Sequence, residues 1–309
     1  MEGLPGSGKS TTAHFTCLHL FRHGRDARWC HEEEVPHPIF DYETIRDAFD
    51  HGRLDPSLFE VARANWSALA SDVAASGRST VLDGSLLQTP IHPMLLLDWD
   101  RDRIVTYVIE VALSLAPAHP LLVMLRDDDV GSRLKRTIEA RGSWMLEVLE
   151  ARILGSPFAR ARGFAGLEGV TSYFEAFRDL TDAIIGRLPI ESLVLALDQL
   201  PADRVNERVA AALGLPPFQP FETRVDDLSA LVGRYERIGH PEAYEIGTDG
   251  THLYTGSAPK SRLIHRGALR FEIASLPVGF EFLADGDGRI RALECQGRMP
   301  DLPYECVKS

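Results

Sequence analysis

Nine residues near the start of the sequence have the types and the spacing of a phosphate-binding loop. They are Gly3, Leu4, Pro5, Gly6, Ser7, Gly8, Lys9, Ser10 and Thr11, of which the first eight match the pattern G-x-x-x-x-G-K-[ST] in full. The glycines let successive backbone N–H groups turn inward around phosphate oxygens, and the helix that follows directs its positive end at the same anion. All of these residues except Leu4 are therefore candidate nucleotide ligands.

The last three residues of the loop carry the most specific chemistry. We expect the Lys9 ammonium to bridge the β- and γ-phosphates of a nucleoside triphosphate and the Ser10 hydroxyl to bind Mg²⁺. Thr11 should pack against the loop or contact the α-phosphate. Phosphoryl transfer depends more on charge neutralisation than on covalent help, so Lys9 is also a candidate catalytic residue.

Carboxylates follow two predicted strands. Glu32, Glu33 and Glu34 follow the strand over residues 27–31, and Asp83 follows the strand over residues 79–82. A carboxylate within hydrogen-bond distance of an acceptor hydroxyl can orient that hydroxyl and take its proton. We expect Glu32 or Glu33 to be this base, and Asp83 to bind Mg²⁺ through water or to be the alternative base. The competing interpretations are a solvated acidic turn for residues 32–34 and an ordinary turn residue for Asp83.

Segments that favour strands and helices alternate through the first two thirds of the sequence. Further strands are predicted over residues 121–125 and 190–197, and helices over residues 12–21, 41–51, 57–76, 103–115, 130 onward and 173–188. On helix 57–76 one apolar side is predicted from Leu58, Val61, Ala62, Trp66, Leu69 and Val73. The alternation predicts an α/β fold, a doubly wound parallel sheet with helices on both faces, whose ligands bind beyond the carboxyl ends of the strands. The strand before the loop is missing or clipped, because only Met1 and Glu2 precede Gly3.

Composition excludes several classes of function. The chain of 309 residues has a formal charge of −12 and no concentrated run of basic residues, which disfavours nucleic acid and anionic membranes as partners. The four cysteines, Cys17, Cys30, Cys295 and Cys306, lack the short spacings of zinc sites and are predicted to be buried thiols. Neither a secretory signal nor an apolar stretch long enough to span a membrane stands out, and we expect a cytoplasmic protein.

The alternation of predicted strands and helices ends at a proline-rich segment over residues 213–224, which predicts a linker. The linker separates a first domain, residues 1–212, from a second, residues 225–309. Short alternating runs predict antiparallel strands at residues 244–247, 252–255, 262–265, 269–273, 279–283 and 290–295. Turn signals at residues 248–250 and 285–288 separate some of them; the second resembles a calcium loop but fits a hairpin turn better. Residues 231–236 resemble the start of the lipocalin-like β domain of some hydrolases, which implies a curved sheet or partial barrel.

Residues 1–200 resemble the P-loop nucleoside and nucleotide kinases, a group that includes thymidylate kinase, deoxynucleoside kinases and chloramphenicol phosphotransferase. The phosphate loop carries the resemblance, with support from the Val81-Leu82-Asp83-Gly84 strand end and from the acidic residues 32–34. The resemblance implies a kinase that uses ATP and Mg²⁺. The family's Asp-Arg pair after Asp83 is missing here, which disfavours a nucleoside monophosphate as acceptor.

The same resemblance gives roles to several arginines and to an acceptor pocket. Arg133, Arg136 and Arg141 resemble a lid helix that closes over the phosphates, and Arg126 is a further candidate phosphate ligand. Ordinary salt bridges with nearby acidic residues are the competing interpretation. Candidate residues for the pocket of the acceptor are Gln88, His92, Trp99, Tyr107 and Glu110.

Two functions from different classes follow. The first is an ATP- and Mg²⁺-dependent kinase that acts on a hydroxyl of a nucleoside-like or antibiotic-like small molecule, with the β domain covering the acceptor, binding a second ligand or forming a homodimer. The second is a regulatory NTPase whose hydrolysis switches a binding surface. A binding protein with a degraded catalytic centre is a third possibility, suggested by the clipped first strand.

Overall fold

A computed structural model describes residues 1–41, 57–256, 261–299 and 302–308 of the chain. The protein divides into two compact units. The first unit comprises residues 1–32 and 36–218, and the second comprises residues 33–35 and 219–309. A three-residue segment from the amino-terminal part of the chain thus belongs to the carboxyl-terminal unit.

Parallel strands form the centre of the first unit. In the described residues they are β1 (Glu2–Gly3), β2 (Ala27–Cys30), β3 (Ser79–Leu82), β4 (Leu121–Arg126) and β5 (Glu191–Ala196). Strand β2 pairs with β3, while β1 and β5 flank β4. The Met1 ammonium donates a 2.7 Å hydrogen bond to the Leu82 carbonyl, and the Gly84 N–H donates one of 2.8 Å to the Met1 carbonyl. Strand β1 therefore lies between β3 and β4, which gives the order β2-β3-β1-β4-β5.

Helices connect these strands and cover the sheet. Those in the described residues are α1 (Lys9–Arg22), α2 (Ser57–Ser76), α3 (Gln88–Leu96), α4 (Arg101–Ser114), α5 (Val130–Arg141), α6 (Ser143–Leu154), α7 (Pro157–Arg162), α8 (Gly166–Ile185) and α9 (Ala202–Ala212). The predicted α/β class with a parallel sheet is confirmed. The helix predicted over residues 41–51 falls almost wholly outside the described residues.

Helix α2 shows how the apolar face is selected. Its buried side chains are Phe59, Ala62, Trp66 and Ala70, which follow the three- and four-residue spacing of one helix face. The prediction that Val61 shares this face was wrong, since Val61 is 58% exposed. The face packs into the main core of the unit, where Trp66 is 1% exposed.

Strand β1 is only two residues long, as expected from the residues before the loop. Beside Met1, a mainly apolar cavity of about 600 Å³ is lined by residues of β3 and β4 among others. Burial lowers the pKa of the Met1 ammonium, although Glu2 and Asp83 oppose that effect. The strand groups β2-β3 and β1-β4-β5 are thus joined beside the phosphate loop by the two hydrogen bonds of Met1, with the cavity next to that junction.

The second unit contains a closed antiparallel barrel. Its strands are β6 (Gly233–Arg237), β7 (Ala243–Thr248), β8 (Leu253–Thr255), β9 (Ser261–Gly267), β10 (Arg270–Ile273), β11 (Val278–Ala284), β12 (Ile290–Gly297) and β13 (Tyr304–Lys308). Neighbours in sequence pair with one another, and the ring closes where β13 pairs with β6. The structure thus goes further than the curved sheet or partial barrel predicted from the sequence.

Alternating side chains fill the barrel. In β11, Phe280 and Phe282 are buried while Glu281 between them is less so, because successive side chains of a strand point to opposite faces. Tyr235 and Phe271 also belong to this core. The turn after β11 is a hairpin turn, in which the Gly288 N–H donates a 2.9 Å hydrogen bond to the Asp285 carbonyl.

All four cysteines are free and buried, as predicted. In the part of the chain that the structure describes, no helix is both long enough and apolar enough to cross a membrane.

Candidate active site

The phosphate loop connects β1 to α1 through a tight turn. The Ser7 N–H donates a 3.0 Å hydrogen bond to the Leu4 carbonyl, and Gly6 and Gly8 have positive φ angles of 78° and 85°. A Cβ atom at Gly6 would collide with Thr137 of α5. Among the described residues no side chain caps the start of α1, so the N–H groups of its first turn remain available to an anion.

Lys9 lies in this loop with an almost fully buried side chain. Its ammonium is 3.2 Å from Oε2 of Glu32 and 3.4 Å from Oε1. Burial alone would lower the pKa of Lys9, but the charges of Glu32 and Asp83 outweigh that effect and raise it. The ammonium therefore stays charged and is held beside two carboxylates.

Glu32 is the member of the acidic cluster that reaches Lys9. It follows β2, and its Oε2 also accepts a 2.6 Å hydrogen bond from the Gln88 side chain. Burial acts to raise the pKa of Glu32, but Lys9 and then His31 more than compensate, so its pKa is lowered. Glu32 is thus an ionised carboxylate that is already oriented by two side chains.

Asp83 lies at the end of β3 and is fully buried. Burial raises its pKa to about 6, although Lys9 acts in the opposite direction. Neither carboxylate oxygen has a hydrogen bond of good geometry among the described residues. The nearby Ser10 hydroxyl acts to lower the pKa of Asp83, which favours the charged form. A buried carboxylate without donors costs free energy unless a cation or donor joins it.

The Ser10 and Asp83 pair fits the predicted Mg²⁺ in its chemistry. Mg²⁺ prefers oxygen ligands and is commonly bound by one or two protein groups together with nucleotide phosphates. Within the described residues no group of three or more His, Cys, Asp and Glu side chains could hold a metal without such help. Ser10 and Asp83 alone would therefore leave most ligand positions of such an ion to other groups.

Gly84 follows Asp83, and because it has no side chain it leaves room for the Glu32 carboxylate. Its φ angle is +62°, and a Cβ atom there would lie 2.5 Å from Oε2 of Glu32 and 3.2 Å from Cε of Lys9. We expect Gly84→Ala to displace Glu32 and to lower kcat roughly 10-fold or more if Glu32 is the base, given what misplacement of a reacting group costs. Steady-state kinetics of the purified variant measures this effect.

Gly77→Ala is the matched control for that variant. Gly77 has a similar φ of +67°, so alanine suffers the same backbone strain there, but its Cβ would meet no atom of the described residues within 4 Å. The control should lose a comparable amount of stability and keep its activity. Equal kinetic losses in both variants would contradict the steric role of Gly84.

The arginines of α5 and β4 have different partners. Arg133 donates two hydrogen bonds, of 2.8 and 2.6 Å, to Oδ1 of the buried Asp127 and one of 3.3 Å to the Gly6 carbonyl. It is thus adjacent to the phosphate loop, and its guanidinium forms the kind of salt bridge that the competing interpretation expected. Arg126 forms ion pairs with Asp128 and Asp182, which engage its guanidinium with carboxylates of the first unit.

Several other predicted residues have neighbours outside the group formed by Lys9, Glu32 and Asp83. Arg136 is exposed and Arg141 is half-buried at the end of α5, and Glu33 belongs to the second unit. Tyr107 donates a 3.2 Å hydrogen bond to the Phe59 carbonyl, and Trp99 packs on the same Phe59. Glu110 is paired with Arg63 at 2.9 Å. Of the predicted acceptor pocket, Gln88 is thus the residue that contacts Glu32 directly.

His92 lies one helical turn after Gln88 and belongs to an aromatic stack. Its ring is 4.3 Å from that of Phe177 with an interplanar angle of 9°, and its Nδ1 is 2.7 Å from the Tyr173 hydroxyl. Burial lowers the pKa of His92 to about 4, a shift that Glu32 only partly opposes. His92 is therefore a neutral, fixed ring near Glu32.

Sequence reasoning considered the buried Asp127 only as a salt-bridge partner of the arginines, and it missed the buried Glu2. Asp127 does form that salt bridge, with Arg133, and it follows β4 directly, so the rule used for Asp83, a carboxylate at a strand end, also applies to it. Glu2 offered no such signal. Its carboxylate accepts hydrogen bonds of 2.8, 3.1 and 3.1 Å from the N–H groups of Leu86, Leu87 and Gln88 at the start of α3.

Replacement of Glu2 by alanine should therefore destabilise the first unit. Three N–H groups, two of them fully buried, would lose their acceptor, at a cost of about 3 kcal/mol in the free energy of unfolding. Urea denaturation followed by circular dichroism measures the change. Glu60→Ala, at a 71% exposed side chain, is the control and should change stability by less than about 0.5 kcal/mol. A loss no larger than that control would contradict the anchoring role of Glu2.

Comparisons with known proteins give little beyond this geometry. No protein-family model matches the chain, and no curated protein matches its sequence. Among solved structures, one similar chain is deoxyadenosine kinase from M. mycoides with bound dATP, at a TM-score of 0.37 and 15% identity over 69% of this chain and 96% of that one. Both similarity values are low, so the function has to be inferred from the residues of this chain.

Proposed function

We propose that the protein is an ATP- and Mg²⁺-dependent phosphotransferase that phosphorylates a hydroxyl of a nucleoside-like or antibiotic-like small molecule. The observation that supports this most directly is the cluster of Lys9, Glu32 and Asp83 beside the phosphate loop. The cluster joins a buried cation, an ionised carboxylate and a carboxylate for which the described residues supply no hydrogen bond of good geometry, at the ends of β2 and β3. Each group has a separate task in phosphoryl transfer.

The phosphate loop, Lys9 and Arg133 would bind the triphosphate. Backbone N–H groups of the loop and the first turn of α1 donate to phosphate oxygens, and Lys9 neutralises charge that develops on the transferred group. Arg133 contacts the Gly6 carbonyl and Asp127 in this structure, and its guanidinium can extend the cationic wall of the loop. Ser10 and Asp83 would hold Mg²⁺, which supplies further charge neutralisation to the phosphates.

Glu32 would act as the base for the acceptor. In the structure its carboxylate is paired with Lys9, and a triphosphate would compete for the same ammonium. The carboxylate is then available to the acceptor hydroxyl, whose proton it takes as the oxygen forms a bond to the γ-phosphorus and the bond to the β–γ bridging oxygen breaks. The Gln88 side chain keeps the carboxylate oriented through its 2.6 Å hydrogen bond.

The class of acceptor is suggested by the surroundings of Glu32. His92 is neutral and stacks on Phe177, and Gln88 offers an amide group beside the base. Aromatic rings combined with a few fixed polar groups are typical of pockets for flat, ring-containing ligands. This favours a nucleoside-like or ring-containing antibiotic-like molecule over a small aliphatic alcohol.

The test measures ADP release with Mg²⁺-ATP in the presence of nucleosides, nucleotides and aminoglycoside, nucleoside or phenicol antibiotics. We expect release that depends on one class of acceptor and falls about 100-fold in Glu32→Gln, the usual contribution of a general base. Glu33→Gln distinguishes the neighbouring carboxylate, and Glu60→Gln controls for the loss of a surface charge. A loss confined to Glu33→Gln would assign the base to Glu33.

Release of ADP that needs no acceptor and survives Glu32→Gln would favour the regulatory NTPase over the kinase. Failure to bind ATP, measured by calorimetry, would exclude both and favour a binding protein. The assay thus separates the three functions in a single preparation of the protein.

A further inference from the structure

The segment that follows the candidate base is held by the barrel unit. Residues 33–35 belong to the second unit, although the residues on both sides of them belong to the first. The Val35 N–H donates a 3.0 Å hydrogen bond to the Arg298 carbonyl. The Arg298 Nε–H donates a 2.9 Å hydrogen bond to Oε2 of Glu34, which is fully buried. Backbone and side chain of one arginine therefore bind two successive residues.

Arg298 is itself fixed within the barrel unit. It follows the last residue of β12, Gly297, and its N–H donates a 3.1 Å hydrogen bond to the Pro277 carbonyl just before β11. Gly297 has a φ of +150°, and a Cβ atom there would collide with the same carbonyl. The position of Arg298 is thus determined by the β11–β12 pairing, which is the most extensive register in the barrel.

These contacts leave Glu32 only a short free length of chain. On one side Cys30 is fixed in the sheet opposite Leu82, two residues before Glu32. On the other side Glu34 is bound to Arg298, two residues after it. Because each anchor lies two residues from Glu32, the two together limit the backbone conformations of the residues between them. The direction of the Glu32 side chain therefore depends on both.

We propose that Arg298 is a positioning residue, through which the barrel holds the segment 33–35 and thereby keeps Glu32 directed at Lys9 and the acceptor hydroxyl. This inference rests on the proposed function of Glu32. In this proposal the barrel contributes to phosphoryl transfer without binding a ligand itself. Arg298 does not touch substrate in this role; it acts through Glu34 and the backbone.

The variants are Arg298→Ala, Arg298→Lys and Glu34→Gln, with Arg291→Ala as the matched control. Arg291 lies on the same strand β12 and pairs with Asp285 at 2.8 Å, within the barrel and away from the segment. We expect Arg298→Ala to lower kcat for the acceptor about 10-fold and to leave the KM for ATP within about two-fold, because the phosphate loop is untouched. Arg298→Lys should recover part of the loss, and Arg291→Ala should lose nothing.

Hydrogen exchange provides a readout that does not depend on activity. Amides of residues 31–36 should exchange at least about 10-fold faster in Arg298→Ala than in the wild type, while those of β10 and β11 keep their protection if the barrel remains folded. Unchanged exchange at residues 31–36, an equal kinetic loss in Arg291→Ala, or a change in KM for ATP alone would overturn the proposal. If the wild type transfers no phosphoryl group, the proposed function fails, and exchange alone decides whether Arg298 restrains the segment.

Discussion

Lys9→Ala should reduce the proposed phosphoryl transfer by at least about 1,000-fold, since it removes the buried cation that would neutralise charge on the phosphates of a bound nucleotide. Lys9 is 8% exposed, and no other lysine among the described residues lies in the phosphate loop. The loss should appear in kcat and in the affinity for ATP. Single-turnover transfer and calorimetric titration with Mg²⁺-ATP measure the two separately.

Lys135→Ala is the control for this variant because Lys135 is an exposed lysine on α5, two residues from Arg133. It should retain wild-type transfer within about two-fold, as surface substitutions usually do. A circular dichroism spectrum and melting curve show whether Lys9→Ala still folds with Glu32 and Asp83 left without their cation. Folded Lys9→Ala with transfer within about three-fold of the wild type would refute the proposed role of Lys9.

Asp83→Asn should abolish most of the transfer and yet stabilise the protein without nucleotide. Burial raises the pKa of Asp83 from 3.8 to about 6, so the folded state prefers the protonated carboxyl. The loss of folding stability caused by the charged Asp83 carboxylate is absent below pH 3.8. It grows as the pH rises towards 6 and is complete above that. At pH 8 the variant should therefore gain on the order of 2–3 kcal/mol in the free energy of unfolding.

The pH dependence makes this prediction specific. Urea denaturation at pH 8 and near pH 4, without Mg²⁺ or nucleotide, should show a gain for Asp83→Asn at the higher pH that nearly vanishes at the lower one. Asp72→Asn, at an exposed position on α2, is the control and should show neither effect. A destabilised Asp83→Asn at pH 8 would mean that its carboxylate has donors or cations that outweigh its burial. Transfer retained within about three-fold would exclude Asp83 from the metal site.

The sequence predicts those elements of the fold that have a signal within a short stretch of the chain. The phosphate loop is a contiguous pattern, and the strands of both units appear as short apolar or alternating runs. The closure of the barrel was missed because it depends on β6 and β13, whose partners Tyr235 and Lys308 are far apart in sequence. Neither strand was predicted. Each also pairs with its neighbour in sequence, β6 with β7 and β13 with β12, so only the pairing that closes the ring is long-range.

The candidate site likewise contains residues that a local sequence signal predicts and residues that it does not. Lys9, Ser10 and Asp83 follow from a motif and from a strand end, whereas the choice between Glu32 and Glu33 depends on side-chain directions that no sequence rule supplies. Glu32 points to Lys9, and Glu33 starts the segment of the other unit. Glu2 was missed for a related reason, because its three N–H partners lie 84 to 86 residues away.

The pairing of β13 with β6 sets an order of events during synthesis. Residues up to 218 leave the ribosome first and contain every strand of the first unit, so that unit can begin to fold early. The barrel cannot close until β13 has emerged, and the segment 33–35 meets Arg298 only when β12 is in place. A nascent chain can therefore form its phosphate loop long before Glu32 is anchored on both sides. The arrangement around Glu32 is then complete only at the end of translation.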